Sequence, residues 1–228
     1  MTTEPRYSLR LYLVRHGQVA ANREFRYVGD RDDPLTELGR RQAAAVASAL
    51  GALRHGDGPL RIGRVLSSPR RRARDTALAI GAALGIDVET EGRLAEQSYG
   101  GWEGLTRDEV RRLSDEHAGH LAQVDADPAV APPGGESLLA AQRRVLGLVE
   151  ELARADDGRP GGVVLVSHVG PIKALVAAAL DLPLLNLRRL FLDLATVSVI
   201  DWGKPPVLRL FNDHSHLGFE RARWLERG

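Results

Sequence analysis

The chain has 228 residues and no cysteine. That absence excludes disulfides, thiolate metal sites and a cysteine nucleophile together, and leaves the redox compartment unmarked. An excess of either charge is missing too: 31 Lys and Arg stand against 30 Asp and Glu, a formal net charge of +1. No global field favours nucleic acid or an anionic membrane surface, so anion binding must come from local clustering. Positions 1–10 hold no apolar core and carry Glu4 and Pro5, so no secretory signal is expected. The most apolar stretch, 163–182, is broken by Ser167, His168, Pro171, Lys173 and Asp181, too interrupted for a transmembrane helix. Internal repeats, low-complexity tracts and linkers are also lacking. The expectation is a cytoplasmic protein with no membrane or nucleic-acid partner.

What is present is an ordinary globular balance, 43% hydrophobic and 27% charged, enough for a sizeable core. Short apolar runs alternate with longer helical patterns, which predicts an α/β domain with a mainly parallel sheet. Strands are expected at 9–14, 62–67 and 163–167, one or two more within 190–200, and another at 207–211. A helix should start at Thr36, a good N-cap, and stop at Gly51. Others are expected at 70–84, ending near Gly85, at 106–117 after Thr106, and at 136–154. The segment 118–135 ends in "PPGG" and reads as a surface excursion or lid. A polar loop, "RADDGRPGG" at 154–162, precedes the 163–167 strand. One domain over 1–228, with an inserted helical segment at about 92–135, is the expected organisation.

Chemistry-bearing residues sit where apolar runs end. The first strand runs out into Arg15-His16-Gly17, and a later one into Ser167-His168-Val169-Gly170-Pro171 before a helix. Ligands of open parallel sheets bind beyond the carboxyl ends of strands, so two histidines at two such ends can meet. Pro171 in a first helical turn would leave backbone amides aimed at an anion there. The third strand leads into "SSPRRRARDTA", where one of Arg70, Arg71, Arg72 and Arg74 can point into the cleft while the others stay solvated. With Arg15 it would supply fork-shaped positive charge for phosphate oxygens. Glu96 becomes a proton donor if burial raises its pKa. Nearby Glu103 competes for that role but reads as a solvated or capping residue. The set suits phosphoryl transfer through a phosphohistidine. His117 with His120, and Asp213 with His214 and His216, look superficially metal-like but read as loop polarity, so no metal is expected. Trp102 either lines the cleft or fills a core position.

"LVRHGQ", Asn22, "DDPLTELGRRQA", "SSPRRRARDTA", "LAEQSYGGWEG", "PPGGES" and "LVSHVGPIKAL" follow one another in an order that resembles the histidine phosphatase superfamily, over about 11–180. The resemblance implies a three-layer α/β/α sandwich of the phosphoglycerate mutase-like kind. It implies His16 as the phosphorylated nucleophile, Arg15 and Arg72 as clamps on the phosphoryl oxygens, Glu96 as general acid and His168 as the second histidine. Asn22 and Val169 would lie beside the phosphate, and Gly17 would be the turn that lets its neighbours face the cleft. Three positions depart from the family's habits: Val19 stands where threonine is common, Val28 where glutamine is common, and Val169 where glycine follows the histidine. Glu96 is followed by Gln97-Ser98 and the "GGWEG" run rather than the basic set of the mutases, and the stretch "HLAQVDADPAVAPP" is acidic and apolar. The phosphatase branch is therefore favoured. Its acid phosphatase and α-ribazole phosphatase-like members are the nearest in feel, with a small phosphomonoester as substrate and no cofactor. A cofactor-dependent phosphoglycerate mutase is the alternative, and a non-catalytic phosphate-binding module is a third reading. A monomer and a homodimer are both compatible with the sequence.

Overall fold

The computed structural model describes residues 9–54, 62–155 and 161–218. Residues 1–8 and most of the polar loop expected before the 163–167 strand lie outside them. Among the described residues six strands form one sheet in the order β3-β2-β4-β1-β5-β6. In chain order these are β1 (Leu9–Arg15), β2 (Ile62–Ser67), β3 (Val88–Thr90), β4 (Gly162–Ser167), β5 (Val197–Trp202) and β6 (Val207–Asp213). The pairings among β3, β2, β4 and β1 are parallel; β5 and β6 are antiparallel additions at one side. Every residue of β4 is buried, as the unbroken apolar run of a central parallel strand requires.

Alternation along the central strands builds two cores. Leu11, Leu13, Val163 and Leu165 face one side, against Val145 and Leu148 of α6 (Leu138–Ala155) and Ile172 of α7 (Val169–Ala179). Tyr12, Val14, Val164 and Val166 face the other, against Val46 and Leu50 of α2 (Glu37–Arg54) and Ala77 and Ile80 of α3 (Arg71–Leu84). The result is a three-layer α/β/α sandwich. A short α1 (Ala20–Arg23) follows β1. Between β3 and α6 the inserted segment carries α4 (Arg107–Leu113) and α5 (Asp115–Ala126).

Caps explain most boundaries. Thr36 Oγ1 accepts from the Gly39 amide at 3.0 Å, and Gly85 ends α3 in the left-handed region at φ 64°. Thr106 and Glu109 form a reciprocal capping box at α4. Three expectations need correction. Gly51 does not stop α2, which continues to Arg54 and packs there on Ala83 of α3, 3.5 Å from where a Cβ would stand. The helix expected at 106–117 is two helices, because Ser114 is extended and caps the second through the His117 amide. The surface excursion at 118–135 is helical as far as Ala126. One strand of the one or two expected within 190–200 is present, from Val197, and residues 190–196 form a loop with Ala195 at φ 54°. Strand β3 was not anticipated, since three partly exposed residues carry little periodic signal.

The central strand should be intolerant of cavities. Leu165→Ala is expected to lower unfolding free energy by about 2–5 kcal/mol, measured by urea denaturation at unchanged slope.

Candidate active site

Parallel register sets the site. Arg15 pairs with Ser167 across β1 and β4, and Val166 pairs with Ser67 of β2. The next residues along these three strands, His16, His168 and Ser68, therefore emerge at one end of the sheet. β1 leads on to β2 at one side and β4 to β5 at the other, so this end is also where the strand order switches direction. The two imidazoles lie with ring centres 5.0 Å apart. His16, Arg72, Glu96 and His168 are all at most 5% exposed, and Arg15 8%.

The hydrogen bonds assign the imidazole tautomers. His16 Nδ1 donates to the Gly17 carbonyl at 2.7 Å, which leaves Nε2 as the unprotonated nitrogen. Ser68 Oγ, which accepts from the Arg70 amide at 3.3 Å, lies 2.7 Å from His168 Nε2, and we assign its proton to that bond. His168 Nδ1 then carries the ring proton; it is buried and has no partner. Burial, with Arg72, His16 and Arg15 adding to it, holds the His168 pKa well below that of an ordinary histidine.

Arg72 is anchored through both terminal nitrogens, to the Arg31 carbonyl at 2.6 Å and to the Val28 and Gly29 carbonyls at 3.0 Å each. Its Nε is buried without a partner, and the guanidinium makes no salt bridge to a described residue. Arg15 is tied to the Leu192 carbonyl at 2.6 Å, from the loop expected to be a strand. Glu96 is the acid on this cleft. Its Oε1 accepts from the Gln97 amide at 2.9 Å and the Gly170 amide at 3.2 Å. Burial raises its pKa, opposed by the Gln97 amide and then by Arg72 and Arg15. The Gly170 amide expected to await an anion is thus held by Glu96, and a Cβ on Gly170 would stand 2.4 Å from that carboxyl oxygen.

Gly17 serves close approach rather than a special turn. A Cβ there would meet the Gly39 carbonyl oxygen at 2.5 Å, at the start of α2, while its amide donates to Thr76 Oγ1 at 3.1 Å. Asn22 is engaged locally: its Oδ1 accepts from the Val19 amide at 3.0 Å. Val19 and Val28, two of the departures from the family pattern, pack together with Ala21, Leu35 and Ala43 in one apolar cluster. Val169, the third, opens α7 and lines a neighbouring cavity.

The domain carrying these groups can be compared with known proteins. The model of the histidine phosphatase superfamily, branch 1, matches residues 11–214. The chain belongs to this superfamily. It is 42% identical over 182 residues to the glucosyl-3-phosphoglycerate phosphatase of Mycolicibacterium vanbaalenii, covering 78% of this chain and 76% of that one. It is 40% identical over 193 residues to the bifunctional protein Rv2228c of Mycobacterium tuberculosis, covering 85% of this chain. The chain spans about half the length of that relative. The solved structure of mycobacterial glucosyl-3-phosphoglycerate phosphatase Rv2419c with VO3 superposes with a TM-score of 0.76 at 34% identity, covering 90% of this chain and 98% of that one.

Several residues of this superfamily member gain a place that sequence alone did not provide. Glu103 is half-buried and ends the short helical turn Gly100–Trp102, as its capping reading expected. Its carboxylate accepts from the amides of Gly29, Asp30 and Tyr99, at 3.0 Å each, and so fixes the loop whose carbonyls hold Arg72. Arg70 bonds Asp30 and the Arg71 amide bonds Asp32 in the same loop, so only Arg71 and Arg74 present exposed side chains. Ser68 and Thr76 carried no signal beyond their place in the "SSPRRRARDTA" run. Trp102 is both core and lining: it is 1% exposed, packs on Val110 and Leu121, and borders a cavity of about 220 Å³. The histidines that looked like metal ligands make ordinary contacts, His120 Nε2 with the Ala131 carbonyl and His216 Nε2 with that of Ala195. Among the described residues no group of three His, Asp or Glu is arranged to hold an ion. No described helix is long and apolar enough to cross a membrane.

Ser68→Ala removes the hydroxyl that fixes the His168 tautomer. Imidazole ¹⁵N shifts are expected to report a single Nδ1-protonated ring in the parent and a mixture in the variant; one tautomer in both would refute the assignment.

Proposed function

We propose that the chain is a metal-independent phosphomonoesterase that hydrolyses small phosphorylated metabolites through a phosphohistidine, in the manner of the histidine acid phosphatases. One observation carries this reading. Two buried donors, Arg72 Nε and His168 Nδ1, have no protein partner, and both belong to the pocket that holds the unprotonated Nε2 of His16. Buried donors are seldom left unmatched, and a tetrahedral dianion matches these. Arg15 adds a second guanidinium. Burial shifts Glu96 towards its neutral form, in which it offsets the arginines less than a full carboxylate would, so the pocket is poised for a ligand's negative charge.

The reaction follows. His16 Nε2 attacks phosphorus with its lone pair and forms the N–P bond while the ester P–O bond breaks. Arg15, Arg72 and His168 Nδ1–H hold the three non-bridging oxygens, where charge develops. Glu96 gives its proton to the leaving alkoxide, which departs as the alcohol. A water then returns a proton to Glu96 and attacks phosphorus, the N–P bond breaks, and phosphate leaves with His16 restored. Asn22, through its bond to Val19, and Val169, at the start of α7, shape the walls beside the phosphate. A small-molecule phosphomonoester is the one partner this scheme needs. Glucosyl-3-phosphoglycerate, by likeness to the mycobacterial relatives, and α-ribazole phosphate are two substrates to test in a cytoplasmic setting.

The wild-type protein is expected to hydrolyse p-nitrophenyl phosphate in the presence of EDTA, and His16→Ala to lose at least about 1,000-fold in kcat. Rapid alkaline quench should leave acid-labile phosphate on His16; label on serine would rule out the covalent scheme. Isomerisation of 3-phosphoglycerate that depends on added 2,3-bisphosphoglycerate would identify a mutase instead, and binding of phosphate without turnover a non-catalytic module.

The raised pKa of Glu96 also predicts a stability signature. A carboxyl whose folded pKa lies above its unfolded value favours folding at pH below the unfolded value, and that contribution is lost as pH rises through the folded one. Glu96→Gln, which keeps the neutral form at every pH, should therefore raise Tm relative to wild type at pH 8 and leave it nearly unchanged at pH 4. A higher wild-type Tm at pH 8 would show that Glu96 is a stabilised carboxylate and not the acid.

A further inference from the structure

Beside the phosphate pocket lies the 220 Å³ cavity, bounded by aromatic rings of the inserted segment and by one face of α7. Tyr27, Tyr99 and Trp102 form its wall, with Tyr27 and Tyr99 ring centres 4.5 Å apart and Tyr27 and Trp102 6.2 Å apart. Gln97 and Gly170 also line it, and these are the residues whose amides hold Glu96. A leaving group protonated by Glu96 would accordingly come to rest here.

The charges lining this space do not balance. Arg107, Lys173 and Arg188 stand against Asp125 alone. Both arginines spend themselves on Asp125, one on each carboxylate oxygen. Lys173 makes no hydrogen bond or salt bridge to any described residue. It sits one turn after Gly170 on the same face of α7. Lys173 is only partly exposed, and burial together with Arg15 lowers its pKa to about 8, countered by Glu96. A lysine confined among apolar and aromatic walls without a counter-ion is costly unless a ligand supplies one. A second unmatched donor belongs to a residue of the lining: the indole Nε1 of Trp102 is buried and has no partner among the described residues. The cations here come from α7, α4 and the segment Leu184–Arg189, outside the acidic and apolar stretch that argued against a mutase in the sequence.

We infer that this cavity is a leaving-group subsite for phosphomonoesters whose alcohol part carries a carboxylate, with Lys173 Nζ as its counter-ion and Trp102 Nε1 as a second donor. The inference rests on the phosphatase reading and narrows it. Aromatic rings accommodate the carbon skeleton, and the charge-assisted bond to Lys173 separates carboxylated substrates from neutral ones of the same shape. The two substrates named above then part company, since only one of them is a carboxylic acid.

The test is a ratio. Kcat/KM is measured for 3-phosphoglycerate and for glycerol 3-phosphate, which differ chiefly in carboxylate against hydroxymethyl. Wild type is expected to favour the carboxylate at least about tenfold. Lys173→Met should collapse that preference by about 10- to 100-fold, and Lys173→Arg should restore much of it. Trp102→Phe, which keeps the ring and removes the donor, should lower the ratio by a smaller factor. A wild-type ratio near one, or a preference that survives Lys173→Met, would overturn the inference while leaving His16-dependent hydrolysis of p-nitrophenyl phosphate intact. Wild-type protein that hydrolyses no phosphomonoester would overturn the phosphatase reading and the subsite with it.

Discussion

The site depends first on the parallel pairing of β1 with β4. Arg15 lies opposite Ser167 in that register, and the His16 amide extends the ladder by one bond to the Ser167 carbonyl, at 3.1 Å. The two histidines therefore leave the sheet at the same level. Side chains alternate faces along each strand, so a slip of one residue would turn Leu11 and Leu13 into the wrong core and carry His16 to the other side of the sheet. Packing of the two hydrophobic layers is what enforces the spacing of the two histidines.

The same burial creates the electrostatic character of the cleft. Arg72 is drawn into a space where its terminal nitrogens find only backbone carbonyls, at 28, 29 and 31. Those carbonyls are themselves held by Glu103, whose carboxylate gathers the amides of the same loop and of Tyr99. Glu96 is pushed towards its neutral form and His168 away from its charged one, so two arginines dominate the local field. Donors and charges are oriented before any ligand arrives, the condition under which they lower a barrier instead of reorganising during the reaction. The same excess extends into the aromatic cavity through Lys173. On the proposed reading, a buried cationic cleft of this kind would select for anions twice, at phosphorus and at the leaving group.

Much of this was legible because it is local. The continuous apolar run of β4, the threonine caps at 36 and 106 and the glycine after α3 each act over a few residues, and each appears where its chemistry puts it. The misreadings share a cause. Gly51 looks like a helix stop in isolation but is a contact point with Ala83; 190–196 has strand-like composition but is bent into a loop by its bonds to Arg15 and His16. Glu103 reads as surface charge until loop 28–30 folds onto it. In each instance the deciding partner lies far along the chain.

The sequence by itself determined the α/β alternation, the strand ends that carry Arg15-His16 and Ser167-His168, and the membership of the arginine run that includes Arg72. These follow from periodicity, capping and motif order, which are written in neighbouring residues. Only the tertiary structure decided which partners each histidine nitrogen meets, that the Gly170 amide holds Glu96 rather than an anion, and that Lys173 lines an aromatic cavity without a counter-ion among the described residues. Protonation and charge balance depend on what surrounds a group in three dimensions, and burial assembles those surroundings from segments that local reading cannot bring together.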